Sequence, residues 1–146
     1  MRQVEYIVIH CTAAPNTQKT SVILDFWKKV KGWKIVGYHK LISADGSVEE
    51  LAKPEQITNG VAGKNSKSYH ICYKGGQGGK DTRTEAQKLA LLEEVKKAKK
   101  LFPKAKIVGH RDLSPDLNGD GIINPDEWTK DCPSFEVKDW VKEHKL

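Results

Sequence analysis

Long apolar runs are missing from this 146-residue chain. A membrane-spanning helix needs about 20 consecutive apolar residues, and charged or polar side chains interrupt every apolar stretch here well before that. The mean hydropathy of −0.60 agrees, so no membrane insertion is expected. The opening Met1-Arg2-Gln3-Val4-Glu5 runs straight into strand-like sequence without an apolar h-region, so a signal peptide is not expected and synthesis is expected in the cytoplasm. Cysteine is scarce, at three residues, which argues against a disulfide scaffold and for thiols or metal ligands. Internal repeats, low-complexity stretches and linkers are absent, so residues 1–146 read as one domain. No helix-turn-helix, RNA-binding or finger signature occurs, and the lysines between Lys96 and Lys100 read as a solvated helix face, so no nucleic-acid partner is expected. Nothing signals an oligomer, and the default is a monomer.

Positive charge, by contrast, is plentiful. There are 25 Lys+Arg against 19 Asp+Glu, a net charge of +6 with a pI near 9.2. The stretch from Asp116 to Glu127 holds four acids and no base, which leaves +10 on the remainder. A surface of this sign favours polyanions such as nucleic acid, an anionic membrane surface or an acidic cell-wall polymer.

Hydrophobic periodicity gives an α/β order of elements. Val4 to His10 is rich in β-branched residues and reads as a buried strand ending at His10. Ser21 can cap a helix over 22–31 with Ile23, Phe26, Trp27 and Val30 inward, ended by Gly32. Gly37 to Ile42 reads as a strand, Ala44-Asp45-Gly46-Ser47 as its turn and Val48 to Leu51 as the return. A strand follows within Ser66 to Gly76, centred on Ile71-Cys72-Tyr73. Thr84 and Gln87 form a capping box ahead of a helix with Leu89, Leu92, Val95 and Ala98 inward, stopping before Pro103. Lys106 to His110 is a second strand ending on histidine, and Ser134 can cap a last helix burying Val137, Trp140 and Val141. Helices interleaved with strands imply a single domain with a central mixed β-sheet flanked by helices.

Two strands ending in histidine, with a cysteine 22 residues after the second, form the strongest chemical constellation. Zinc takes ligands that lack or lose a proton, and three protein ligands with one open position make a catalytic site. His10, His110 and Cys132 can supply them, and a site of this charge acidifies bound water enough for hydrolysis. On spacing alone the same residues also read as two polar strand ends and a buried thiol.

Ile9-His10-Cys11-Thr12-Ala13, Gly37-Tyr38-His39, Gly109-His110-Arg111-Asp112 and Cys132-Pro133-Ser134-Phe135 stand in the order and spacing of the type 2 N-acetylmuramoyl-L-alanine amidases. That family includes the T7-lysozyme-like phage enzymes and the peptidoglycan recognition proteins, and the chain resembles its prophage-type members over its whole length. The resemblance implies the T7-lysozyme-like α/β fold and zinc as cofactor, with His10, His110 and Cys132 as ligands. It implies hydrolysis of the amide between the lactyl group of N-acetylmuramic acid and L-alanine of the peptidoglycan stem peptide. Tyr38 matches the family's catalytic tyrosine, which positions or deprotonates the attacking water, and Lys130 matches the lysine that stabilises the oxyanion. Taken alone, they are a half-buried strand aromatic and a solvated loop lysine. Peptidoglycan or muropeptides are the implied partner, reached after holin-like or other non-Sec release.

His39 should face away from Tyr38 and pack structurally; Cys11 and Cys72 read as core thiols, and Arg111 with Asp112 as a pair fixing a loop. The chain departs from its phage-type relatives at two places. A cleft histidine is replaced by Gly60, and the small glycine after Ser68-Tyr69 by His70. Gly63 and Asn65 are retained, and with His70 they are the candidate substrate-binding residues. Residues 116–127 also fit the EF-hand pattern. Asp116, Asn118 and Asp120 occupy positions 1, 3 and 5, Gly121 position 6, the Ile122 carbonyl position 7, Asn124 position 9 and Glu127 position 12. They are candidate ligands for a structural calcium ion, although flanking helices are not evident and a polar Gly-rich turn fits as well. The alternative function is a non-catalytic peptidoglycan- or muropeptide-binding module; members that only bind typically lack the cysteine that stands here at 132.

Overall fold

The computed structural model describes residues 2–128 and 130–146. Its centre is a five-stranded sheet of β1 (Tyr6–Cys11), β2 (Lys40–Ile42), β3 (Val48–Glu50), β4 (Ser68–Tyr73) and β5 (Lys106–Gly109), in the order β3-β2-β4-β1-β5. β1 lies parallel to both β4 and β5, β4 is parallel to β2, and only β3 is antiparallel. Parallel strands covered on both faces read as apolar runs, and Ile7, Val8 and Ile9 are all fully buried.

Strand alternation separates two cores. Ile7, Ile9, Cys11, Tyr69, Ile71, Tyr73 and Ile42 face α2 (Glu85–Leu101) and α3 (Val137–Glu143), meeting Leu91, Val95, Ala98, Val137 and Trp140. On the other face Leu41 and Cys72 meet Ile23 and Trp27 of α1 (Thr20–Asp25) and the turn that continues it. His10 and His70 belong by alternation to this second, thinner face, and both are fully buried.

Several local expectations shift. The predicted helix over 22–31 is α1 followed by one π-helical turn over Phe26–Val30, closed by a bond from Lys31 N–H to Phe26 O of 3.1 Å. Lys19, not Ser21, stands at its N-cap. The i→i+5 turn rotates the following side chains. Trp27 stays buried, while Phe26 and Val30 are 46% and 70% exposed. In α2 the capping box forms as expected, with Gln87 N–H donating to Thr84 Oγ1 and Thr84 N–H to Gln87 Oε1, each at 3.0 Å. The buried line, however, runs through Gln87, Leu91, Glu94, Val95 and Ala98, and Leu89 is exposed. Polar partners in the sheet account for this. Gln87 Nε2 donates to the Ile42 and Lys74 carbonyls, and Glu94 pairs with Lys40 Nζ at 3.5 Å. α3 is capped by the Glu136 side chain, not by Ser134. Ser134 has a φ of +69° and donates instead toward the Gly76 carbonyl. No helix among the described residues is long and apolar enough to cross a membrane.

Candidate metal centre and cleft

In open parallel sheets, ligands bind beyond the carboxyl ends of the strands, and the candidate ligands gather there. His10 is the penultimate residue of β1, and His110 opens a 3-10 turn directly after β5 instead of ending the strand. Cys132 lies on the loop before α3. Ligand atoms of the three lie within 4.8 Å of one another, and the His10 and His110 rings stand edge to face at 4.9 Å. His10 Nδ1 is 3.8 Å from Cys132 Sγ. Nitrogen and sulfur ligands at zinc distances and tetrahedral angles lie about 3.6 Å apart. Two imidazoles and a thiol so placed fit a zinc ion with one position left for water or substrate.

Backbone bonds hold the loop ligand in place. Arg111 N–H donates to Cys132 O at 2.9 Å, and Cys11 N–H donates to Cys132 Sγ at 3.1 Å. Gly109 is required beneath it, since a Cβ there would lie 2.7 Å from Pro133 Cδ. Arg111 and Asp112 both fix this region, though separately and not as a pair. Asp112 accepts from Gly109 N–H at 2.7 Å, while the Arg111 guanidinium stacks 3.8 Å over Trp128 and reaches Glu136 at 3.3 Å.

Burial sets the protonation states. It pushes His10 well below the usual histidine range, helped by His70 and His110; it lowers His110 to about 4, helped by the Lys130 ammonium. Both imidazoles are therefore neutral near pH 7, the form that binds a metal. Cys11 and Cys132 titrate as an interacting pair. Hydrogen bonds from Cys132 and Ser134 hold the Cys11 thiol down to about 7, while burial pushes Cys132 up. Cys11 thus packs on the far face of the sheet, as expected, yet also touches the candidate ligand.

A cleft of about 590 Å³ opens beside these residues. Tyr38 lines it, with its ring 4.8 Å from His10 and 5.3 Å from Trp27. Burial pushes the Tyr38 phenol well up, so it keeps its proton and acts as a donor. Lys130 is exposed on the same wall. Phe26, Trp33 and Lys31 also line the cleft, with Asn59 and Gly60. Nothing in the residue pattern points to Phe26 in that role, because the π turn that aims it leaves no recognisable signature.

The candidate substrate-binding residues fall elsewhere. Gly63 lies on an exposed loop with open space around its Cα. Asn65 accepts from Val61 N–H through Oδ1 at 2.8 Å. His70 is fully buried and contacts His10 Nε2 through Nδ1 at 2.8 Å. None of the three is among the residues lining the cleft. His39 packs as expected. It is fully buried and stacked on Tyr69 at 4.5 Å, and its Nδ1 accepts from His70 N–H at 3.0 Å.

Carboxylate oxygens of Asp116, Asp120 and Glu127 come within 4.8 Å of one another. Loop amides already bind them. Asp116 accepts from Gly119 and Gly121, Asp120 from Ile122, and Glu127 from Leu117, Asn118 and Asn124. Asn118 Oδ1 accepts from Asp120 N–H. These bonds explain why the acids converge, and calcium forms no part of the function proposed below.

Sheet order, site position and donor set describe an α/β scaffold with a candidate metal site at the carboxyl ends of its strands. Residues 1–134 match the family model described as N-acetylmuramoyl-L-alanine amidase, and the chain belongs to that family. It is 45% identical over 106 residues to an uncharacterized protein of Haemophilus influenzae, covering 70% of this chain and 91% of that one. It is 32% identical over 143 residues to the endolysin of Enterobacteria phage K11, covering 94% and 85%. Among solved structures, the Ph2119 endolysin from a Thermus scotoductus bacteriophage superposes with a TM-score of 0.78 at 30% identity, over 98% of this chain and 85% of that one. Peptidoglycan recognition protein LE, solved in complex with tracheal cytotoxin, shares the fold with a TM-score of 0.72 at 15% identity, over 97% and 81%.

Proposed function

We propose that the protein is a zinc-dependent amidase of peptidoglycan, cutting the amide between the lactyl group of N-acetylmuramic acid and L-alanine of the stem peptide. The observation that carries this reading is the convergence of His10, His110 and Cys132 at the side of a cleft walled by Tyr38 and Lys130, in a chain of this family. The matched endolysins and a fold relative complexed with monomeric diaminopimelic acid-type peptidoglycan support the substrate class.

His10, His110 and Cys132 would hold the zinc ion. When bound, it supplies a Lewis acid for the lactyl carbonyl and lowers the pKa of a water. The remaining work falls to the chain's own groups. Tyr38, protonated at neutral pH, donates a hydrogen bond that orients the attacking water or the carbonyl oxygen. The Lys130 ammonium faces the charge that develops on that oxygen. Phe26, Trp27 and Trp33 supply aromatic surface against which a sugar or stem peptide packs, and Lys31 meets its anionic groups.

Purified sacculi incubated with the protein and analysed by mass spectrometry test the reading. Free stem peptides with an N-terminal alanine are expected, absent with Cys132→Ala and after chelation. No release by a folded, zinc-loaded protein would overturn hydrolysis of intact peptidoglycan and leave the binding module.

A further inference from the structure

A chain of hydrogen bonds, buried at its inner end, runs behind the metal position and reaches it through His10. Asn65 Oδ1 accepts from the Val61 backbone N–H at 2.8 Å and lies 3.0 Å from His70 Nε2. A backbone N–H can only donate, so the Asn65 atom facing it is the oxygen. Facing that oxygen, His70 Nε2 must carry the proton. A neutral imidazole has one N–H, which leaves His70 Nδ1 as an acceptor. It sits 2.8 Å from His10 Nε2, so His10 carries its proton there. The lone pair of His10 is then on Nδ1, the atom 3.8 Å from Cys132 Sγ.

His70 is held from two further directions. Its backbone N–H donates to His39 Nδ1 at 3.0 Å. Gly60 packs against its edge, where an added Cβ would fall 2.4 Å from His70 Nδ1. Gly60 and His70 are thus one arrangement: the imidazole of one fills the room left by the missing side chain of the other.

We infer that His70 is a positioning residue for metal binding. Together with Asn65 it fixes His10 as the Nε2–H tautomer and orients Nδ1 toward the metal position, with Gly60 making the space. This rests on the metal centre proposed above. Outer partners of ligating histidines typically raise metal affinity about 10–100-fold.

The direct test is a long-range proton–nitrogen NMR correlation of the histidine rings in the folded, metal-free protein. The His10 spectrum is expected to show Nε2–H with Nδ1 unprotonated; an Nδ1–H form would overturn the inference. Zinc affinity, measured by competition with a chromophoric chelator, gives the second readout. Gly60→Ala and His70→Leu are expected to weaken binding about 10–100-fold. His70→Asn, whose Oδ1 replaces the accepting Nδ1, is expected to restore it to within a few-fold. Wild-type zinc affinity in folded His70→Leu would overturn the role of His70 while leaving the metal centre intact. A wild-type protein that binds no zinc would instead overturn the metal centre, and the tautomer measurement would still decide the hydrogen-bond chain. Thermal melts of each variant separate loss of the fold from loss of affinity.

Discussion

Tyr38 and Cys132 illustrate two demands on single side chains in this site. Tyr38 keeps its proton because its hydroxyl is desolvated beside three thiols, so its contribution is one of donation. Tyr38→Phe should lower kcat by about 10²-fold with little change in KM, as read from steady-state release of stem peptide. Cys132 is pushed up by burial and must lose its proton to become a ligand. Zinc titrations in buffers of different ionisation enthalpy should therefore show about one proton released per ion. His39 sets a pH limit on the fold. Burial lowers it to about 4, opposed by its bond to the Gln56 carbonyl and reinforced by Arg2. The folded form thus binds a proton less readily than the unfolded form, with its value near 6.5. Its contribution is full above about pH 6.5, falls as the pH drops toward 4 and levels below, while His10, His70 and His110, also lowered by burial, add to the loss in the same direction. Roughly 3 kcal/mol is expected from His39, seen as a falling urea midpoint in metal-free protein. The three candidate metal ligands were legible at this scale through the family motifs around them, since order and spacing alone also allowed two polar strand ends and a buried thiol. The link between His70 and His10 was not, because it depends on register: His10 lies opposite Cys72 across the β1–β4 pair, and His70 reaches it diagonally.

Among the elements, α2 shows what local rules reach and where they stop. Its N-terminus was readable because Thr84 and Gln87 satisfy each other's backbone donors locally. Its buried face was not, because Gln87 and Glu94 are drawn inward by carbonyls and a lysine distant in sequence. Thr84→Ala should cost about 1 kcal/mol of stability and leave amide release unchanged, as checked by urea unfolding beside the sacculus assay. β1 was visible from its apolar Ile7-Val8-Ile9 because parallel strands covered on both faces leave no polar alternation, and β4 from its centre Ile71-Cys72-Tyr73. The π turn after α1 escaped detection, since an i→i+5 bond selects no particular residue type. It nevertheless decides that Trp27 is buried and that Phe26 faces the cleft.

For the whole molecule, charge and metal act on different steps. With a net charge of +6, capture by an anionic polymer depends on ionic strength, because screening shortens to about 10 Å at 0.1 M salt and 3 Å at 1 M. Cosedimentation of Cys132→Ser with sacculi should fall severalfold between low and high salt. Zinc at about 100 times its dissociation constant would add about 2.7 kcal/mol to the folded state. Chelation should lower the melting temperature by about 5–10 °C in a domain of this size.

The candidate ligand pair His10 and Cys132 also has a consequence in time. The two residues are separated by 122 positions in the chain, and a ribosome adding about 5–20 residues per second needs roughly 6 to 24 s to pass from one to the other. Throughout that interval the growing polypeptide holds the first histidine and lacks the Cys132 thiol. The zinc site proposed above therefore cannot be complete on a nascent chain until residue 132 has been added.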